Sequence, residues 1–307
     1  MPAVTRPTTA LPRNGGPSIS LLADKAIATP FLKWAGGKGR LIEKLEPLFP
    51  GRIGRYFEPF VGSGAVFFHL RNLGRLKRNV VLNDLNPELM NCYRVLQSQQ
   101  DVGELVALLR EYSSRAMEPE FYYRLRALDR CPAFLRENTP VQRAARTIFL
   151  NHTCYNGLYR VNSSGWFNVP YSRPTRLPHV FREDNLWACH SALQCANLME
   201  GSFDACLAAA RPGDFVYLDP PYDPPSPTSS FTTYNGGGFH ESDQRHLASV
   251  FRELDKIGCQ LMLSNSATAF IEMLYKGFRK ERIAAFRAIG SRAHTRRIVE
   301  ELVVTNY

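Results

Sequence analysis

The corner Asp219-Pro220-Pro221-Tyr222, called the corner (219–222) below, constrains the fold more than any other stretch. It follows an apolar run at 214–218 that is typical of a buried strand. Two consecutive prolines continue neither a strand nor a helix, and they push the preceding residue toward extended backbone. The strand therefore ends in a stiff turn. In open α/β sheets, ligands bind at that edge.

The chemistry of the corner suits a planar amine. Tyr222 offers a flat aromatic face, while the Asp219 carboxylate and the free backbone carbonyls can accept hydrogen bonds from an amino group. A proline-rich turn after a buried strand explains the same residues when they are taken alone. The other motifs of the chain have to decide between these interpretations.

Residues 55–68 indicate the first strand-helix unit of a nucleotide-binding type of fold. An aromatic strand leads through the glycine turn (62–64) into an apolar helix, whose backbone amides point toward the ligand edge. Phe67 replaces the third glycine of the dinucleotide fingerprint, which favours a nucleoside without a pyrophosphate. Asp84 ends the next strand 22 positions after Gly62, a spacing typical of an acid that binds ribose hydroxyls, although a capping role fits as well.

An N-terminal motif (31–38), Phe-Leu-Lys-Trp-Ala-Gly-Gly-Lys, forms a further candidate site. It is not a phosphate-binding loop, because Gly39 follows Lys38 where Ser or Thr is required. Trp34 and Lys38 are therefore predicted to flank a close backbone approach to some other ligand.

The pattern of predicted strands and helices divides the chain into three parts. Residues 1–29 are predicted to be a flexible tail, and residues 30–93 with 186–307 form one α/β domain. Residues 94–185 are predicted to be a mostly helical insertion. Asn-Gly and Ser-Gly turns separate short aromatic pieces at its end, which predicts a β-hairpin, called the hairpin segment (151–171) below.

The last third of the α/β domain contains a long loop and an unusual strand pair. Residues 223–240 are rich in Pro, Ser, Thr and Gly, and are predicted to be a mobile lid or a disordered loop. In the first part of the same domain, by contrast, residues 40–48 are predicted to form a helix. The last two strands, near 282–288 and 299–305, lack an intervening helix and should pair antiparallel.

Basic charge is concentrated in two segments of a chain whose formal net charge is +10. Residues 141–182 hold six arginines and no acid, and residues 276–297 hold eight Lys or Arg and one acid. Such segments suit a polyanionic partner. The aromatic, acid-free hairpin segment could enter a DNA groove with Arg160 reading guanine, although a solvated hairpin explains this stretch when it is taken alone.

Other classes of protein are disfavoured by the sequence. Seven scattered cysteines form no CxxC pair, which argues against structural zinc and favours reduced intracellular thiols. No apolar run approaches the length needed to span a membrane, and residues 1–20 lack the apolar core of a signal peptide. We therefore expect a cytoplasmic protein that binds neither a metal nor a membrane.

Taken together, the motifs resemble those of the Dam-type DNA adenine-N6 methyltransferases (D12 class, alpha group). The match runs from Phe31 to Tyr307, and four motifs agree in order: 31–38, 57–64, the hairpin pieces 156–160 and 167–170, and 219–222. The resemblance implies an α/β, Rossmann-like fold of S-adenosylmethionine-dependent methyltransferases. This fold has a seven-stranded mixed sheet and a mostly helical target-recognition insertion that carries a β-hairpin.

The resemblance also implies the site residues. The catalytic residues would be Asp219, Pro220, Pro221 and Tyr222. The cofactor S-adenosylmethionine would be contacted by Trp34, Lys38, Glu58, Phe60, Gly62, Asp84 and Asp219. Double-stranded DNA would be contacted by Lys33, Tyr155, Asn156, Leu158, Arg160 and Pro170.

The implied activity is methyl transfer from S-adenosylmethionine to N6 of an adenine flipped out of double-stranded DNA, within GATC. Two alternatives use the same fold: an amino-methyltransferase acting on RNA or protein, and a non-catalytic DNA-binding protein. We expect a monomer encoded by a bacterium or a phage. Both a stand-alone enzyme and one that accompanies a cognate restriction endonuclease fit the resemblance.

Overall fold

A seven-stranded mixed sheet forms the centre of the protein, as predicted. The computed structural model describes residues 27–224, 238–288 and 296–307. Within them the strand order is β3-β2-β1-β4-β5-β7-β6. The strands are β1 (Tyr56–Glu58), β2 (Val80–Asp84), β3 (Ala196–Glu200), β4 (Phe215–Leu218), β5 (Gln260–Ser266), β6 (Arg279–Ala288) and β7 (Arg296–Thr305).

Helices cover the sheet and build the insertion. In chain order, the helices of the described residues are α1 (Ile42–Leu45), α2 (Ala65–Asn72), α3 (Pro87–Gln97), α4 (Gln99–Ser114), α5 (Pro119–Ala127), α6 (Phe134–Glu137), α7 (Pro140–Thr153), α8 (Glu183–Leu193), α9 (Phe203–Leu207), α10 (Glu241–Ile257) and α11 (Ala269–Leu274). The predicted helix at 40–48 is instead three short pieces, because Pro47 cannot donate the hydrogen bond of a continuous helix. Among the described residues, no helix is long and apolar enough to cross a lipid bilayer.

The sheet changes direction between β1 and β4. β1 pairs in parallel with β2 on one side and with β4 on the other, and β2 continues outward to β3. The chain then returns from β3 to β4, so the carboxyl ends of β1 and β4 lie side by side at a topological switch point. Glu58 ends β1 and Asp219 follows β4, so both acids lie at this edge.

The last two strands pair antiparallel, as predicted, but β7 also inserts between β5 and β6. In the register of β5 and β7, Ser266 lies opposite Glu301. In the register of β6 and β7, Arg279 lies opposite Thr305. The β7 strand therefore brings Glu301 to the carboxyl end of β5, close to the switch point.

Alternation along β4 shows why this strand is central. Phe215 and Tyr217 pack into one hydrophobic cluster, whereas Val216 and Leu218 pack into the cluster on the opposite face. All four are fully buried, as expected for a parallel strand covered by helices on both faces. The corner (219–222) therefore extends from a strand that is fully buried on both faces.

Helix α7 attaches the insertion to the sheet domain. The Asn91 side chain on α3 donates to the Pro140 carbonyl at 2.9 Å, and the buried Ile148 and Phe149 of α7 join the hydrophobic cluster that contains β2.

The first described residues of the chain are also packed against the domain. Ala28 and Thr29, which we assigned to the tail, are packed: Ala28 is buried, and the Thr29 backbone N–H donates to the Asn185 side chain at 2.8 Å.

The hairpin segment (151–171) is an antiparallel ribbon with two isolated bridges, Cys154 to Tyr171 and Val161 to Phe167, in place of continuous strands. The Asn162 side-chain oxygen accepts the Trp166 N–H at 2.9 Å and closes the turn at its tip.

Two predicted regions lie partly outside the described residues: most of the loop at 223–240, and the part of the basic segment at 289–295.

A buried ion pair fixes the hairpin segment to the insertion. Asp129 Oδ2 lies 2.8 Å from Arg146 Nη2 and accepts the Phe167 backbone N–H at 2.7 Å. The Arg146 side chain is only 4% exposed, and it also donates to the carbonyls of Leu125 and Arg126. Asp129 therefore both neutralises a buried guanidinium and holds the returning half of the ribbon.

Replacing Asp129 by Ala should lower the free energy of unfolding by about 3–5 kcal/mol, because the Arg146 charge then stays buried without its partner. Urea denaturation measures this loss. Asp184→Ala is the matched control, since Asp184 pairs with Arg182 in a solvent-exposed ion pair, and the loss there should be within about 1 kcal/mol. Equal losses in the two variants would contradict the role of Asp129.

Candidate active site and DNA-facing surface

Lys38 and Asp219 form a buried ion pair at the switch point. Lys38 Nζ donates to Asp219 Oδ2 at 2.7 Å and to the Gly36 carbonyl at 2.9 Å, and it lies 2.6 Å from Asp219 Oδ1. The Lys38 side chain is 2% exposed and the Asp219 side chain 19%. The structure thus brings the N-terminal motif (31–38) and the corner (219–222) together.

Burial and the neighbouring Lys38 charge act in opposite directions on the pKa of the Asp219 carboxyl. Burial raises the pKa of its carboxyl to about 6, and the Lys38 charge works in the opposite direction. Lys38 Nζ lies within 2.7 Å of both carboxylate oxygens, Oδ1 and Oδ2. Lys38 therefore holds the carboxylate in place, and an ionised carboxylate has further acceptor positions for a ligand.

Two buried amides shape the backbone of the corner. The Gln244 side chain donates to the Pro221 carbonyl at 2.9 Å, and Asn265 accepts the Asp223 N–H at 3.1 Å. The two amides also bond to each other at 3.1 Å. Both amides therefore hold the backbone that follows Asp219 and Pro220 in a fixed conformation.

The Tyr222 ring is held at two points. Lys38 Nζ lies 4.8 Å from the ring centroid, and the Tyr222 hydroxyl donates to Glu301 Oε2 at 2.6 Å. Sequence reasoning missed Glu301, Gln244 and Asn265. The available signal was weak: each is a buried polar residue within an otherwise apolar helix face or strand.

The glycine turn (62–64) packs directly against Trp34. Gly62 has a φ of 47°, and a Cβ atom placed there would lie 2.9 Å from Trp34 Cδ1. The Tyr93 hydroxyl donates to the Gly62 carbonyl at 3.0 Å. Only glycine allows both this backbone conformation and the close approach of the indole.

Asp84 organises the same turn from the end of β2. Its Oδ2 accepts the Gly62 N–H at 3.0 Å, and its Oδ1 accepts the Asn86 N–H at 3.0 Å. Burial raises the pKa of the Asp84 carboxyl. Asn86, and not Asp84, caps α3. Because an ionised carboxylate has about four acceptor positions, the two bonds of Asp84 are compatible with binding a ribose hydroxyl.

Glu58 and Phe60 lie on either side of Pro59 in the sequence and occupy different environments. The Glu58 side chain is buried and accepts the Tyr56 hydroxyl at 2.9 Å, and burial raises its pKa to about 8. Phe60 is half-buried and packs against Phe203 and Phe239, with ring centroids 5.4 and 6.0 Å apart. Sequence reasoning did not select these two aromatic partners.

The residues predicted to contact DNA gather around the start of the hairpin segment. Lys33 is exposed, and its backbone N–H and carbonyl both bond to the buried Asn151 side chain, at 2.8 and 2.9 Å. Asn151 also donates to the Gly157 carbonyl at 3.1 Å. The Tyr155 N–H donates to the Pro170 carbonyl at 2.9 Å. Asn156 and Leu158 lie within this same turn.

Arg160 is exposed on the hairpin segment, and its Nε donates to the Asn168 side chain at 2.8 Å. The adjacent Tyr159 stacks on Trp34, with ring centroids 5.1 Å apart and an angle of 28° between the rings. The hairpin segment is thus joined to the glycine turn through one pair of aromatic rings. The described residues contain no group of three or more His, Cys, Asp or Glu side chains that could hold a metal ion.

The seven-stranded sheet with its inserted antiparallel strand is the α/β fold of the S-adenosylmethionine-dependent methyltransferases. More narrowly, the chain belongs to the D12 class N6 adenine-specific DNA methyltransferases, whose family model matches residues 34–289. It is therefore an adenine-N6 DNA methyltransferase.

Relatives with assigned names agree with this family. The Type II methyltransferase M.MjaIII of Methanocaldococcus jannaschii is 42% identical over 91% of this chain and 99% of its own length. The Type II methyltransferase M1.LlaDCHI of Lactococcus lactis subsp. cremoris is 39% identical over 94% of this chain and 98% of its own. The DNA adenine methylase of Haemophilus influenzae is 32% identical over 94% of this chain and 96% of its own.

Replacing Lys38 by Met should move the acidic limb of the pH–kcat profile to higher pH. Removing the Lys38 charge removes an interaction that lowers the pKa of Asp219, so that pKa should rise above about 6. If ionised Asp219 is the active form, the variant needs a higher pH to reach its plateau. The profile is measured with radiolabelled methyl transfer to unmethylated plasmid DNA.

Lys77→Met is the control for this profile, since Lys77 is exposed and lies at the opposite edge of the sheet, before β2. Its acidic limb should coincide with that of the wild type. An unchanged limb in Lys38→Met would contradict the electrostatic role of Lys38.

Proposed function

We propose that the chain transfers a methyl group from S-adenosylmethionine to N6 of an adenine flipped out of double-stranded DNA, within GATC sites. One observation carries this proposal: the Asp219 carboxylate, paired with Lys38, and the following Pro220 carbonyl lie beside the Tyr222 ring, over which Lys38 Nζ also lies. An adenine amino group has two N–H donors and adjoins a flat ring. A base inside a duplex cannot reach such a pocket, so it has to leave the stack.

The residues of the switch point fit the proposed cofactor. When bound, S-adenosylmethionine supplies a methyl group on a positively charged sulfonium, which is a strong electrophile. Acids at the carboxyl ends of β1, β2 and β4 suit a ligand that carries positive charge. The close-packed glycine turn allows the backbone to approach it, and the Phe60 cluster offers apolar ring faces. Trp34, Lys38, Glu58, Phe60, Gly62, Asp84 and Asp219 would form this site.

The task of the corner (219–222) is to orient the amino nitrogen, whose lone pair is delocalised into the purine ring. Asp219 and the Pro220 carbonyl would accept its two N–H groups and draw it toward tetrahedral geometry. Tyr222 would stack on the ring and fix its plane. Such positioning lowers the barrier by several kcal/mol. A strong general base is not needed, because the methylated, positively charged nitrogen loses its proton readily.

The DNA-facing surface supports a duplex substrate. Lys33, Tyr155, Asn156, Leu158, Arg160 and Pro170 surround an acid-free, basic ribbon that is attached to the catalytic edge through Tyr159 and Trp34. Arg160 Nη1 and Nη2 can bond to guanine while Asn168 holds Nε. This surface favours DNA over RNA or a protein amide. The paired Lys38 and Asp219 favour catalysis over a non-catalytic DNA-binding role.

We further propose that the protein acts as a monomer.

Two of the relatives are named Type II methyltransferases, which favours a chain that accompanies a cognate restriction endonuclease. The relative named DNA adenine methylase supports the stand-alone role. Digestion of host DNA with methylation-sensitive endonucleases identifies the methylated sequence in either case.

Asp219→Ala should lower kcat on GATC duplexes by at least about 100-fold, because the amino nitrogen loses its positioning acceptor. DNA binding, measured by gel shift, should remain. Asp204→Ala serves as control, since Asp204 is exposed on α9. Near-normal turnover of Asp219→Ala would show that the corner is not the catalytic site.

Arg160→Ala should reduce discrimination between GATC and sites with one changed guanine by about 1–3 kcal/mol, the contribution of one bidentate base contact. The comparison uses kcat/KM on matched duplexes. Arg176→Ala, an exposed arginine outside the hairpin segment, should leave this ratio unchanged. A uniform loss on all sequences, together with a weaker salt dependence of binding, would instead identify Arg160 as a phosphate contact.

A further inference from the structure

A buried carboxylate lies behind the Tyr222 ring, on a strand that no sequence motif connects to the site. Glu301 of β7 is 5% exposed, and its Oε2 accepts the Tyr222 hydroxyl at 2.6 Å. The register of β7 with β5 places it opposite Ser266, at the carboxyl edge of the sheet. The contact joins residues that are 79 positions apart in the chain.

The position of Glu301 is costly for a purely structural residue. The following residues of β7, Leu302, Val303 and Val304, are buried and apolar. A carboxylate in such a strand loses much of its hydration, and this loss is compensated only by strong local interactions. A phenol donating to a carboxylate at 2.5–2.7 Å is one of the stronger hydrogen bonds found in proteins. The contact between Glu301 and Tyr222 falls within that range.

The geometry restricts the Tyr222 ring from two sides. The hydroxyl is fixed by Glu301 at one end, and Lys38 Nζ lies over the ring face, 4.8 Å from the centroid. A tyrosine side chain has only two rotatable bonds, so two such contacts leave the ring little freedom. A fixed aromatic face reduces the ordering that is needed when a planar base arrives.

We propose that Glu301 is a positioning residue for methyl transfer: through the Tyr222 hydroxyl it holds the aromatic face against which the target adenine is oriented. The inference rests on the proposed function, in which Tyr222 stacks on the extruded base. In this proposal Glu301 acts on the base through Tyr222, and its charge also raises the pKa of the nearby Asp219.

Kinetics of four variants test this role. Tyr222→Phe keeps the ring and removes the hydroxyl, and Glu301→Ala removes the carboxylate. Each should lower kcat by about 10- to 100-fold, the range of a hydrogen bond to a charged group, with little change in KM for DNA or S-adenosylmethionine. Glu301→Gln keeps an acceptor oxygen of similar shape and should recover part of the loss. The double variant Tyr222→Phe/Glu301→Ala should be no slower than the slower single variant, because both changes delete one bond.

Glu300→Ala is the matched control on the same strand. Glu300 is exposed and pairs with Arg282 at 2.9 Å, so its removal should leave kcat unchanged. Wild-type kcat in either Glu301→Ala or Tyr222→Phe would overturn the proposal. Losses that multiply in the double variant would overturn it as well. If Glu301→Ala fails to fold, a wild-type kcat in soluble Tyr222→Phe is sufficient to reject the inference.

Tyr222→Ala separates this inference from the proposed function. Removal of the whole ring should abolish most of the turnover. Normal turnover of Tyr222→Ala would contradict the stacking role itself, and with it the proposed function. An inactive Tyr222→Ala together with fully active Glu301 variants would reject only the role of Glu301.

Discussion

The buried ion pair between Lys38 and Asp219 is the interaction on which the arrangement of the site depends. It joins residues 181 positions apart. A carboxylate at a covered sheet edge is costly unless a partner charge accompanies it, so the N-terminal motif (31–38) has to fold over the end of β4. The same motif is bonded to Asn151 through Lys33 and stacked on Tyr159 through Trp34. The ion pair therefore connects the switch-point edge of the sheet to the hairpin segment.

Around this pair, the conformation of the corner (219–222) depends on side chains from other elements as well as on its own two prolines. Gln244 and Asn265 bond to the backbone groups of Pro221 and Asp223. The prolines make the corner stiff, and the two amides hold the backbone that follows it. In the proposed function, this rigid backbone orients the amino nitrogen without a strong base. The pKa of Asp219, raised to about 6 by burial, leaves it mostly ionised at neutral pH.

Local patterns in the sequence predicted the parts of the fold that local physics controls. The apolar run before the corner and the glycine turn were sufficient to predict an α/β domain, and the missing helix between the last strands predicted their antiparallel pairing. The seven-stranded mixed sheet followed from the resemblance to the family. The roles of Asn151, Gln244 and Glu301 could not be predicted, because each follows from contacts between residues that are distant in the chain. A polar residue inside an apolar strand marks such a position without identifying its partner. For Asp84, spacing suggested a ribose contact, and the structure adds its bonds to the N–H groups of Gly62 and Asn86, which sequence alone did not indicate.

The most direct test of the central claim is a crystal structure with a GATC duplex and S-adenosylhomocysteine. The account predicts an extrahelical adenine whose N6 lies about 3 Å from both an Asp219 carboxylate oxygen and the Pro220 carbonyl oxygen. The Tyr222 ring should lie parallel to the base, with its hydroxyl still bonded to Glu301. An adenine that remains stacked in the duplex, or whose N6 faces other acceptors, would contradict the account.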